Sequence, residues 1–134
     1  MRIGRREAIV QAVMAAVGGM AGVVMPAAQE ARAMYGLIGK MTATTGQRDA
    51  LMSILLEGVA DMPGCLSYIV ARDPADVNAI WITEVWDSKT SHEASLALPS
   101  VKQAIAKGRP LIAAFGDSVV TTPVGGHGLK ASGR

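Results

Sequence analysis

The residues whose types and spacing could do chemistry fall close together. Glu84, Trp86, His92 and Ser95 lie in one short stretch, with Trp81 just before it and Tyr68 further upstream. Glu84 shares strand parity with Ile80, Ile82 and Trp86. A carboxylate among apolar neighbours is costly to ionise unless paired, and burial raises its pKa, which suits a proton acceptor near neutral pH. His92 could take a phenolic proton or bind a metal. Trp81 and Trp86 could wall an aromatic ligand, and Tyr68 could hydrogen-bond a substrate oxygen. Each also has a plain structural reading: a paired or capping Glu84, a surface helix His92, core tryptophans, a packed Tyr68 and a helix-surface Ser95.

These side chains need a strand-to-helix corner to bring them together. Ala79 to Thr83 is β-branched and aromatic without a breaker, so it reads as a strand running through Glu84-Val85-Trp86. The signal stops at Asp87-Ser88, where either side-chain oxygen can cap a helix from Lys89 to Leu98. His92 and Ser95 are three apart and share a face of that helix. Pro99 closes it and can open a second helix, Ser100 to Lys107, which Gly108 ends. Such corners commonly rim ligand pockets.

The rest of the chain supplies the frame. Met34 to Thr42 reads as a first strand, although Gly36 and Gly39 weaken it unless something approaches closely. Thr44-x-x-Gln47 fits a capping box, and Leu51, Ile54, Leu55, Val59 and Met62 recur at helical spacing over about Gly46 to Met62. After Pro63-Gly64, Cys65 to Arg72 is a second strand, joined to the third through the turn residues Asp73-Pro74-Ala75-Asp76. A connector at Arg109-Pro110, with a helical turn over Leu111 to Phe115, precedes a fourth strand from Asp117 to Thr122. The order β-α-β-β-α-β makes the fold class α+β and ferredoxin-like. Two helices cover one face of a four-stranded sheet; the second face is apolar enough to need a cover, and another copy of the chain is the economical one.

Glu84-x-Trp86, the helix through Ser95, Leu98-Pro99-Ser100-Val101 and the Pro63-Gly64-Cys65-Leu66 strand entry together resemble the antibiotic biosynthesis monooxygenase family over roughly residues 34–122. The resemblance implies a dimeric α+β barrel related to quinol monooxygenases. Many members carry a histidine about four residues before the proline; Ser95 holds that position here, and His92 is one turn earlier. The implied reaction is cofactor-independent oxidation of a quinol or polycyclic phenol by O₂ to a quinone. Glu84 or His92 would be the base, with Tyr68, Trp81, Trp86 and Ser95 contacting the substrate. The competing reading is a non-catalytic dimeric binding module for a small apolar or aromatic ligand in the cell envelope. Haem-degrading relatives use an asparagine on the first strand, and residues 34–42 contain none.

Arg2, Arg5 and Arg6 precede an uncharged run, Ala8 to Met25, and a small-residue stretch ends near Ala33. This reads as a twin-arginine-like signal over residues 1–33, giving an exported, periplasmic or extracellular protein without stable membrane association after cleavage. An uncleaved membrane anchor is the alternative. The domain then spans 34–122, and 123–134, with His127, reads as a mobile tail. Beyond residue 33 there are nine basic and nine acidic residues, with no basic stripe for nucleic acid. Cys65 is the sole cysteine, so no intrachain disulfide is possible. No phosphate-binding glycine loop, His-Glu-x-x-His or cysteine pair is present, so a dedicated NAD or zinc site is not expected.

Overall fold

A computed structural model describes residues 33–130. The expected signal over residues 1–33 therefore falls almost wholly outside the described residues, as do the last four residues of the tail. The elements are β1 (Tyr35–Ala43), α1 (Arg48–Gly58), β2 (Cys65–Arg72), β3 (Ala79–Trp86), α2 (Lys89–Ser95), α3 (Pro99–Gly108) and β4 (Ile112–Thr121). The four strands form one antiparallel sheet in the order β2-β3-β1-β4. This is the ferredoxin-like arrangement, with the second helix split in two by Pro99.

Strand registers divide the side chains cleanly. Rows Met41–Ile80, Leu37–Glu84–Tyr68 and Tyr35–Trp86–Cys65 share the face beneath the helices. Two apolar clusters fill that layer. One joins Met41, Leu51, Met52, Ile80 and Ile82; the other joins Tyr35, Leu37, Met62, Trp86 and Val101. The opposite face carries Ile38, Trp81, Thr83 and Val85, with Ile69 and Val119 still 55% and 50% exposed.

Local details depart from the sequence expectations in places. The Thr44-x-x-Gln47 capping box does not form: Gln47 is the N-cap residue and makes no side-chain cap bond, while its N–H donates to the Thr44 carbonyl. The helix ends at Gly58, whose α-carbon lies so close to Ala104 of α3 that a side chain would collide, and Val59 is the C-cap. The helical turn after α3 is a 3₁₀ turn at Arg109–Leu111, earlier than expected, so β4 begins at Ile112 rather than Asp117. It pairs with β1 through register shifts, which lets the extra residues join the ladder. Gly36 is where the close approach occurs: a β-carbon there would collide with Thr121 and Pro123. Beyond β4 the chain has no regular structure up to Lys130, whose N–H donates to the Leu66 carbonyl (2.9 Å) beside β2.

Candidate active site

Glu84 sits mid-sheet on β3, flanked by Leu37 of β1 and Tyr68 of β2, and is 2% exposed. The indole Nε1 of Trp86, two residues on and therefore on the same face, donates to Glu84 Oε1 at 3.0 Å. Burial pushes the Glu84 carboxyl up to about 7, and the indole bond holds it partly back. Glu84 and Tyr68 line a cavity of about 50 Å³ roofed by α1 and α3 through Leu51, Leu55, Val101 and Ile105. Burial, then Glu84, pushes the Tyr68 hydroxyl well above its usual value, so it stays protonated and can donate.

α2 starts as the sequence implies, with Ser88 Oγ accepting from the Ser91 N–H at 3.1 Å. Gly64, at φ +83°, lies so close to Asp87 and Ser91 that any side chain would collide, and its carbonyl accepts from the Asp87 N–H. The Pro63-Gly64 entry thus fixes α2 over the sheet end. His92 is then buried (3% exposed), not on the surface, and meets the rings of Tyr35 and Trp86 at 5.2 and 5.4 Å. Burial first lowers its pKa to about 4, so the imidazole is neutral at pH 7. Its Nε2 has no hydrogen-bond partner among the described residues.

The structure therefore brings Glu84, Trp86, His92 and Tyr68 under the helices, but only Glu84 and Tyr68 line the cavity. His92 meets the ring of Trp86, whose indole is bonded to Glu84. Ser95 is buried, contrary to its expected helix-surface place, and donates to the His92 backbone carbonyl at 2.6 Å; it braces α2 and does not line the cavity. Trp81 is displaced further: odd parity puts it on the opposite face, with its indole N–H on Asp73 Oδ2 (2.9 Å) and Lys40 Nζ 5.7 Å from its ring centroid. Like Trp86, it does not line the cavity beside Glu84. Tyr35 was not singled out by sequence; its position next to Trp86 across the β1–β3 ladder was the available signal. Cys65 is half-buried, its thiol pushed up to about 11 by burial, and is therefore a poor nucleophile. Among the described residues no three His, Cys, Asp or Glu side chains are grouped to hold a metal ion, and no helix is long and apolar enough to cross a membrane.

A ferredoxin-like sheet with a buried carboxylate under its helices defines a class of small α+β proteins with an internal pocket. The antibiotic biosynthesis monooxygenase family model matches residues 34–107, and the chain belongs to that family. A crystal structure from Chloroflexus aurantiacus J-10-fl carrying the same family description is 71% identical, with a TM-score of 0.71, covering 72% of this chain and 98% of that one. SnoaB, a cofactor-independent oxygenase from Streptomyces nogalater, shares the fold at 16% identity and a TM-score of 0.60, over 71% and 97% of the two chains. A Caulobacter crescentus CB15 structure with the family description matches at 19% identity and TM-score 0.59, over 70% and 91%. No curated protein matches significantly.

Proposed function

We propose that the chain is a cofactor-independent monooxygenase that oxidises a quinol or phenol with O₂ to a quinone. The observation that carries this is Glu84: a cavity-lining carboxylate whose pKa is raised to about 7 is balanced between holding and releasing a proton at neutral pH. Glu84 takes the phenolic proton. The electron-rich phenolate then reduces O₂, and a carbon–oxygen bond forms at the activated ring carbon. The hydroperoxide loses water, leaving a carbonyl; one oxygen atom enters the product, the other leaves as water, and the substrate supplies all four electrons. Tyr68 O–H donates to a substrate oxygen, and the apolar roof excludes bulk water. His92, neutral and away from the cavity, fixes Trp86 and through it Glu84.

A non-catalytic binding module for a small apolar or aromatic ligand in the envelope is the second reading, favoured by how little space the closed cavity offers. Oxygen uptake by metal-free purified protein with a panel of quinols separates the two: catalysis gives quinol-dependent uptake, whereas ligand-induced tryptophan quenching without uptake favours binding alone. A homodimer through the open sheet face is supported by half-exposed Ile69 and Val119; light scattering of residues 34–134 tests it, and a stable micromolar monomer removes it. Export rests on residues 1–33, and N-terminal sequencing from the producing cell tests it.

A further inference from the structure

The cavity beside Glu84 is too small for the ligand its chemistry suits. About 50 Å³ lies far below the roughly 300–1,000 Å³ of ordinary ligand pockets. A second void, an open groove of about 300 Å³, runs between the end of α1 and the β2 edge, past Leu56, Met62, Cys65 and Lys130. Val59 and Tyr68 line both. They are the partition between outside and inside.

We propose that Tyr68 is a gate, that groove and cavity become one binding site when its ring swings outward, and that the joined site takes a planar ligand of one or two fused rings with its hydroxyl toward Glu84. The chemical class rests on the monooxygenase reading; the gate does not. Among the described residues β2 is the edge strand of the sheet, and none of them forms a strand beyond Tyr68. A tyrosine swings by changing between staggered side-chain rotamers, without backbone rearrangement. Val59 is the C-cap residue of α1, where the helix has already ended, so the other half of the partition is also at an element terminus. The joined volume falls at the lower end of the ligand-pocket range, which limits the ring count. With the ring inward, Tyr68 covers Glu84 and keeps the empty site dry.

The test reads access to Trp86, whose indole is bonded to Glu84. The chain has two tryptophans, so in a Trp81→Phe background Trp86 reports alone. Acrylamide should quench it weakly with Tyr68 or Tyr68→Phe in place, and several-fold more strongly in Tyr68→Ala. Ile82→Ala supplies the control, because Ile82 lines the cavity but not the groove; truncation there should leave quenching close to the background. Equal quenching in Tyr68→Ala and Ile82→Ala overturns the gate. With turnover assayed in parallel, kcat/KM for 1,4-dihydroxyanthracene relative to 1,4-dihydroxynaphthalene should rise several-fold in Tyr68→Ala, and an unchanged ratio overturns the ring-count limit. If neither quinol is oxidised while the quenching pattern holds, the gate stands and the monooxygenase reading falls.

Discussion

Both tryptophans of β3 donate to a carboxylate, one on each face of the sheet: Trp86 to Glu84 of the same strand, and Trp81 to Asp73 of the β2–β3 turn. Trp86 donates to Glu84 at 3.0 Å beneath the helices; Trp81 donates to Asp73 at 2.9 Å on the open side. The hydrogen bond is the same and the pKa shifts are opposite. Glu84 has a single indole against extensive burial, and its pKa rises to about 7. Asp73 has the indole, the Ala75 and Asp76 N–H groups and Lys40 at 3.5 Å, and its pKa falls. A neutral donor cannot by itself replace the water a buried carboxylate loses; several donors and a cation near solvent can. One pair is suited to moving a proton, the other to pinning the β2–β3 turn.

The largest effect is expected at Glu84. Glu84→Gln keeps the shape and the bond from Trp86 but cannot accept a proton. On the proposed mechanism, quinol-dependent oxygen uptake should fall by roughly 10²–10⁴-fold, the usual share of general base catalysis. His92→Ala should lose less and should act mainly by loosening Trp86, seen as a lower Tm. Uptake unchanged in Glu84→Gln removes the catalytic assignment.

Stability against pH sharpens the contrast further. Glu84 binds its proton more tightly folded than unfolded, so its contribution is full below about pH 4.5 and is lost as pH rises to about 7. At most this is on the order of 3 kcal/mol. His92 is the reverse: its folded pKa of about 4 lies below the usual 6.5, so stability is lost as pH falls through that interval. The two oppose each other between about pH 4.5 and 6.5. The wild-type denaturation midpoint should therefore be nearly level there, whereas Glu84→Gln should become more stable with rising pH. A flat Glu84→Gln profile would show that His92 does not titrate as its burial implies.

Trp86→Phe should have the next effect. It leaves the buried carboxylate without its donor, at a cost of about 1–3 kcal/mol. Because the indole bond lowers the Glu84 pKa, its loss should move the acid limb of the pH–rate profile to higher pH. An unmoved limb would mean that another group sets it.

Element order and the place of Glu84 were legible because a period of two marks a sheet face from sequence alone. That same parity already separates Trp81 from Trp86 and puts them on opposite faces of the sheet. The burial of His92 and Ser95 was not legible. It depends on α2 lying against Tyr35 and Trp86, a tertiary contact set by the close approach at Gly64. The capping box failed for a related reason, since local pattern cannot say whether tertiary contacts move the N-cap three residues on, from Thr44 to Gln47. The two voids and their partition depend on how the end of α1 packs against β2 and on the roof that α3 adds, which residue types and spacing do not encode.

The smallest expected effect lies at the second pair. Trp81→Phe takes from Asp73 the largest influence lowering its pKa, yet the Ala75 and Asp76 N–H bonds and Lys40 remain. A folded pKa held below its unfolded value gives stability that is present above the unfolded pKa and lost as pH falls through the folded one. With Trp81→Phe this acid-side loss should begin at slightly higher pH, and the neutral-pH Tm should drop by only a fraction of the Trp86→Phe change. Oxygen uptake should be unaffected, because Trp81 lies on the other side of the sheet from the cavity. Because Lys40 stands near both the ring and Asp73, the remaining stabilisation should also become more sensitive to salt. If the Trp81→Phe Tm loss instead matches that of Trp86→Phe, and light scattering shows dissociation alongside it, the open face is held by a second copy and this pair belongs to an interface. Equal losses without dissociation would show that the two pairs carry equal structural weight, and burial alone would no longer distinguish them.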